Sequence, residues 1–224
     1  MIALDNLNFE YPQTGFRLAV ESLEIAEGEK VAVVGPSGSG KTTLLNLIAG
    51  ILIPDSGSVT VNDIQVSQLS DAQRRNFRIA NVGFVFQQFE LIGYLSVFDN
   101  IRLAYLINNS LSETAETGER VKQLAEAVGI ADKLRRPIHQ LSQGEQQRVA
   151  ICRALLTNPD LILADEPTGN LDPDNKQRIL DVLFEQVDHG GQTLLVVTHD
   201  MEIVERFERQ VDFRNFTQPA GAGS

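Results

Sequence analysis

Cysteine is almost absent from this chain: Cys152 is the single one in 224 residues. One thiol cannot form an internal disulfide, and the scarcity fits a reducing compartment. The expected role of Cys152 is that of a small buried apolar side chain. Long apolar runs are missing too, since none approaches the roughly 20 residues that span a bilayer. The longest candidate, Leu44 to Pro54, is short and is interrupted by Asn46. The start, Met1-Ile2-Ala3-Leu4-Asp5, has no basic segment leading into an apolar one, so no signal peptide is expected. Basic residues are in deficit: 19 Lys and Arg stand against 30 Asp and Glu, for a net charge of −11. Such a surface repels the phosphate backbone of nucleic acid and the headgroups of anionic lipid. Nucleic acid is therefore not an expected partner, and contact with a membrane is expected only through a partner protein.

What is present suits a globular protein with a sizeable core, at 42% hydrophobic and 22% charged residues. Ile2 to Glu10 and Phe16 to Ile25 alternate loosely and read as antiparallel strands with a turn near Pro12 to Gly15. Lys30 to Val34 is a short β-branched strand, and a helix is expected from about Lys41 to Gly50. Further strands are expected at Ser58 to Val61, Val82 to Phe86, Leu161 to Ala164 and Thr193 to Val197. From about Val97 to Leu156 the pattern is helical, with Leu103, Leu106, Ile107 and Leu124, Val128 at helical spacing. Asp172-Pro173 reads as the N-cap and first turn of another helix. Alternating strands and helices imply an α/β fold with a parallel sheet and right-handed crossovers. Residues 1–218 read as one unit, with 1–86 and 157–218 as its core and 87–156 as a mostly helical insert. The tail from Pro219 to Ser224 is expected to be disordered.

Three motifs carry the chemistry. Gly35-Pro36-Ser37-Gly38-Ser39-Gly40-Lys41-Thr42 matches a phosphate-binding loop in full, between a strand and a helix. Its glycines let the backbone wrap phosphates, and its N–H groups add to the dipole of the following helix. Lys41 is placed to reach the β- and γ-phosphates, Thr42 to ligate Mg²⁺, and Thr43 joins the nucleotide contacts. The competing reading, a glycine-rich turn with a solvated lysine, leaves the preceding strand without a purpose. The second motif, Leu161-Ile162-Leu163-Ala164-Asp165-Glu166, ends a buried strand in two carboxylates, which is costly without a cation or a proton-transfer partner. Asp165 is expected to hold Mg²⁺ and Glu166 to act as general base on water, although a strand-end pair can also merely cap a turn. Gln87, at the end of its strand, can ligate Mg²⁺ or water, and His199 closes the strand before it on the edge where α/β proteins bind ligands. His139 and His189 have no such placement and are expected to be solvated. The third motif is Leu141-Ser142-Gln143-Gly144-Glu145-Gln146-Gln147-Arg148. Ser142 can cap a helix beginning near Gln143, which would make Ser142 and the Gly144 N–H an anion site. One chain does not need two triphosphate sites for one nucleotide, so this site is read as serving the γ-phosphate held by a second subunit.

Together, in this order, the motifs resemble the ATP-binding subunits of ABC transporters over nearly the whole chain. The resemblance implies a P-loop NTPase with a RecA-like parallel-sheet core, an N-terminal antiparallel β subdomain and an inserted α-helical subdomain. It implies ATP and Mg²⁺ as ligands and an ATPase that dimerises around two ATP, either with a second copy or with a paralogue. It implies transmembrane permease partners and a place at the cytoplasmic face of the inner or plasma membrane. Tyr11 resembles the aromatic that stacks on adenine, Gln87 the lid glutamine that reports γ-phosphate, Asp172 the acid of the loop joining the two sites, and His199 the switch histidine. Gln143 and Glu145 depart from the commonest signature residues, which are glycine and glutamine there, and Asn170 stands where alanine is frequent. Within the family the motifs look most like the group of lipoprotein-release ATPases, MacB-type exporters, FtsE proteins and DevA-type exporters, which implies export or mechanical work. An FtsE-like regulatory scaffold at the envelope and a soluble ATPase of the same family are the alternatives. The latter is disfavoured by the chain's length and acidity.

Overall fold

The computed structural model describes residues 1–108 and 111–216; the tail Pro219–Ser224 lies outside them. Strands β1 (Ile2–Tyr11) and β2 (Phe16–Ile25) form an antiparallel hairpin with Tyr11 opposite Phe16. Strand β3 (Lys30–Val34) leads through the glycine-rich loop into helix α1 (Lys41–Ile48). Strands β4 (Ser56–Val61) and β5 (Ile64–Gln65) follow, then helix α2 (Asp71–Asn81) and strand β6 (Val82–Val85). Four helices come next: α3 (Val97–Ile101), α4 (Leu103–Ile107), α5 (Ala115–Ala127) and α6 (Gln143–Leu155). Strand β7 (Leu161–Asp165), helix α7 (Pro173–Gly190), strand β8 (Thr193–Thr198), helix α8 (Met201–Val204) and strand β9 (Arg209–Asp212) complete the order. One sheet has the order β2-β1-β4-β5 and is antiparallel; the other has the order β6-β7-β8-β3-β9 and is parallel.

Strand pleating explains why the central strands are apolar throughout. Successive side chains point to opposite faces, and both faces of this parallel sheet are covered. Leu161 and Leu163 of β7, Leu195 and Val197 of β8, and Val31 and Val33 of β3 pack into a core shared with the antiparallel sheet and helix α1. The residues between them, Ile162, Ala164, Leu194, Val196 and Ala32, face a second core built with α3, α5, α6 and α7. The helical stretch therefore packs as a continuation of the sheet's lower layer. Cys152 is fully buried in that layer, and burial drives its thiol far above the usual range.

Several elements differ from the sequence reading; strand β4 starts at Ser56 and not Ser58, and the short β5 and α8 are not among the expected elements. Helix α2 carries a capping box, with Ser70 accepting from the Gln73 N–H, yet buries only Phe77. Its apolar period is too thin to read. Strand β9 pairs in parallel with β3 and is polar and partly exposed, so no hydrophobic run announces it. Strand β6 stops at Val85; Phe86 lies beyond the ladder with its ring stacked on Phe84 at 4.1 Å between centroids. Helix α4 is a surface helix: Leu106 and Ile107 are 46% and 66% exposed, so helical spacing there does not mark a core face.

Candidate functional site

A cleft of about 380 Å³ opens where the carboxyl ends of β3, β7 and β8 meet the tip of the β1–β2 hairpin. Ligands of open α/β sheets bind at this edge. Tyr11, Ser37, Gly38, Gly40, Lys41, Thr42, Thr43, Gln87, Asp165, Glu166 and His199 line it together with Phe16. Gly35, Pro36 and Ser39 complete the loop that wraps its floor.

The floor is built for an anion. Helix α1 begins at Gly40, which has a φ of 106°, and neither a side-chain cap nor an acidic residue sits in its first turn. By contrast, Ser70, Ser142 and Asp172 cap α2, α6 and α7. The positive end of the α1 dipole is thus left open to the cleft. Lys41 is 7% exposed, and its Nζ donates to the carbonyls of Gly35 at 2.8 Å and Pro36 at 3.0 Å, folding the cation back over the loop. The Ser39 hydroxyl is buried in the same loop without a hydrogen-bond partner. Phe16 closes the near side: a Cβ on Gly40 would lie 2.2 Å from its Cζ. Tyr11 stands beside it, edge-on to Phe9 at 4.7 Å between centroids.

Two carboxylates face this floor. The Thr42 hydroxyl donates to Asp165 Oδ2 at 2.6 Å. Burial pushes the Asp165 carboxyl up from its ordinary range, with the Glu166 charge adding to the rise; the Thr42 bond and Lys41 only partly oppose it. Glu166 has a left-handed backbone, φ 49°, held by its N–H to the Val197 carbonyl at 3.0 Å. That turn aims its carboxylate at the end of β8. Oε2 accepts from the Thr198 hydroxyl at 2.8 Å, and Oε1 meets His199 Nδ1 at 2.6 Å. Gln87 is exposed, two residues past β6.

Ser142, Gln143, Gly144 and Asp172 lie outside the lining of this cleft. Ser142 and Gln143 are exposed at the start of α6, where a capping box joins Ser142 to Glu145. Burial pushes the Glu145 carboxyl upward, but the Ser142 N–H, the Ser142 hydroxyl and Lys133 outweigh it and hold Glu145 below the usual range. Gly144 packs on the loop after β7: a Cβ there would meet Leu171 Cδ2 at 3.2 Å and the Asn170 carbonyl at 3.3 Å. Asp172 is exposed and accepts from the Asn175 N–H at 3.1 Å as the cap of α7. The Asn175 amide bond, its N–H and Arg148 hold the Asp172 carboxyl low. Helix α6 also reaches the segment after Gln87, where Arg153 donates to the carbonyls of Phe89 and Glu90, each at 2.5 Å.

The family model of ABC transporters matches residues 18–169, the span that holds the phosphate loop, the α6 motif and the paired carboxylates. The chain belongs to the ABC transporter family. It is 42% identical over 217 residues to an uncharacterized ABC transporter ATP-binding protein of Mycobacterium tuberculosis, covering 96% of this chain and 87% of that one. It is 39% identical to the lipoprotein-releasing system ATP-binding protein LolD of Nitrobacter winogradskyi, covering 96% and 93%. Among solved structures it resembles the dimeric bacterial ABC transporter cassette MJ0796, with a TM-score of 0.87, 35% identity and 95% coverage of both chains. A post-hydrolysis state of MJ0796 bound to ADP and Pi matches with the same TM-score at 34% identity.

This chain is thus the ATPase subunit of an ABC transporter. The contacts of three residues around the site escape a reading by motif. Phe16 is legible only through the hairpin register that sets it opposite Tyr11. Thr198 carries a signal in hindsight, as the hydroxyl residue before His199. Gln147 stands inside the third motif, which shows nothing of its partners, since they come from another part of the chain.

Proposed function

We propose that this ATPase subunit closes head to tail with a second subunit around two ATP and drives a transmembrane partner of the lipoprotein-release or MacB-like kind, in export or mechanical work. The observation that carries the dimer is that the Ser142–Gly144 segment at the start of α6 is no part of the cleft floored by α1. The uncapped start of α1 floors the cleft, whereas Ser142 and Gly144 lie outside its lining. A triphosphate held by the first leaves the second free for the γ-phosphate of another subunit. The dimeric MJ0796 cassette, 35% identical, supports the same arrangement, and the LolD relative supports the subgroup.

The residues divide the work as follows. Tyr11 stacks on the adenine, and the Gly35–Thr43 loop holds the phosphates, with Lys41 turning from its carbonyl partners to the β- and γ-phosphates. The Thr42 hydroxyl, the Asp165 carboxylate and the Gln87 amide are hard oxygen donors that would hold Mg²⁺, which would supply charge neutralisation on the triphosphate. Glu166 takes a proton from water as the water oxygen bonds to the γ-phosphorus and the bond to the β-phosphate oxygen breaks, releasing ADP and phosphate. Thr198 and His199 hold that carboxylate in line, and His199 also faces the γ-phosphate. Asp172 and its loop connect the two sites.

No helix among the described residues is long and apolar enough to cross a membrane. In this reading the subunit works at the cytoplasmic face through a transmembrane partner, as its ABC transporter family membership supports. The segment from Gln87 to Ser96 is the docking element. It is stiffened by the fully buried Asn100, which accepts from the Ile92 N–H at 2.8 Å and donates to the carbonyls of Ile92 and Ser96.

Light scattering of Glu166→Gln tests the dimer: saturating Mg-ATP should double the mass, and a protein that stays monomeric rejects the sandwich. Capture of membrane proteins by the same variant tests the subgroup. A partner with a large extracytoplasmic domain supports it, and a pore-type permease without one overturns it.

A further inference from the structure

We infer that Gln147 is a positioning residue for hydrolysis, tying the start of α6 to the backbone of the general base. Gln147 is 1% exposed, so its amide has no water to satisfy it and depends on protein partners. It has two, on one loop. Nε2 donates to the Glu166 carbonyl at 3.0 Å, and Oε1 accepts from the Asn170 N–H at 3.3 Å. The Glu166 carbonyl also accepts from the Gly169 N–H at 3.2 Å, which closes the turn.

These bonds matter because Glu166 sits in a backbone conformation that a residue with a Cβ adopts reluctantly, at φ 49°. Such a conformation persists only when its surroundings hold it. Thr198 and His199 restrain the carboxylate, and Val197 restrains the N–H. Gln147 restrains the carbonyl, the remaining polar group of the residue. Because Gln147 lies one turn after Gly144, and Gly144 packs on Asn170 and Leu171, any shift of the α6 start moves the loop and the base together. Engagement of γ-phosphate at Ser142 would then be felt at Glu166 through one buried amide. The inference rests on the reading of Glu166 as general base.

Steady-state hydrolysis and nucleotide titration of Gln147→Met test it, since methionine fills the space without either hydrogen bond. The expected result is a kcat lower by about tenfold or more, with KM and ATP affinity within about twofold of the parent. In a Glu166→Gln background the same substitution should cost nothing further, because Gln147 acts through Glu166. A folded Gln147→Met protein with parental kcat, or losses that multiply in the double variant, overturns the inference. Gln147→Glu gives a second reading that does not depend on the methionine variant folding. Its carboxyl can donate to the Glu166 carbonyl only when protonated, so its rate relative to the parent should rise toward acid pH; a flat ratio also overturns the inference. If Glu166→Gln alone keeps parental turnover, it is the general-base reading that fails. An inactive Glu166→Gln beside a fully active Gln147→Met sinks only the role of Gln147.

Discussion

The Thr42 hydroxyl and the Asp165 carboxylate meet at 2.6 Å, joining the first turn of α1 to the end of β7 across the floor of the cleft. The residues are 123 positions apart in sequence, and their contact brings together the two oxygen donors on which Mg²⁺ binding is proposed to depend. It also brings a carboxylate into a place where ionisation is disfavoured, since burial raises the Asp165 carboxyl.

Asp165→Asn should therefore separate stability from function. A carboxyl whose folded value lies above its unfolded one near pH 4 costs stability once it ionises, and the cost is absent below that range. The amide keeps an acceptor for Thr42 and never ionises. Nucleotide-free Asp165→Asn should melt about 2–4 °C above the parent at pH 7, the shift expected for about 1 kcal/mol in a chain of this size. The gap should close as pH falls toward 4 and the parent carboxyl takes up its proton. Hydrolysis should be lost at every pH. Thermal melts across that range and a phosphate-release assay check both halves.

Tyr11→Ala should weaken ATP binding while leaving binding of inorganic triphosphate unchanged, because the ring is proposed to meet the base and not the phosphates. Stacking of an aromatic on a base contributes about 1–3 kcal/mol, or roughly 5- to 150-fold in affinity. Tyr11→Phe should keep most of the affinity, since the edge-on contact with Phe9 does not use the hydroxyl. Titration of the variants with both ligands checks this.

Glu29→Gln should loosen the outer strand β9. Arg209 donates from one guanidinium nitrogen to both Glu29 oxygens, at 3.0 and 2.8 Å, and from the other to the Glu24 carbonyl at 2.7 Å. Burial pushes the Glu29 carboxyl upward, but the Ala26 N–H and Arg209 outweigh it and hold it below the usual range. A depressed carboxyl stabilises the fold above its unfolded value near pH 4.3, and that stability is lost as pH falls through the lower, folded value. Because the pair is partly exposed and screened, the variant should lose no more than about 1 kcal/mol at pH 7, and its melting temperature should converge on the parent's below about pH 4. Hydrogen exchange at Val211, paired with Val33, reports the loosening directly.

Legibility in the sequence followed the physics of each element. Lys30–Val34, Leu161–Asp165 and Thr193–Thr198 are buried on both faces, so their runs are apolar and plain to read. Helix α2 and strand β9 bury little and owe their form to a capping box and to a neighbour's ladder, which composition does not display. The phosphate loop and the Asp165-Glu166 pair are local in sequence and were legible as chemistry. The packing roles of Gln147 and Phe16 were not, although Gln147 lies within the third motif, since a buried amide and a packed ring declare their contacts only through partners elsewhere in the chain.

The sequence by itself determined the fold class, the phosphate loop, the acidic pair and the capped start of α6, because each depends on residue type at short spacing. Tertiary structure alone decided that Thr42 reaches Asp165, that Glu166 turns back onto Thr198 and His199, and that Ser142 and Gly144 lie outside the lining of their own chain's cleft. Those relationships arise where strands distant in sequence end side by side. The parallel sheet sets their order, and no local pattern encodes it.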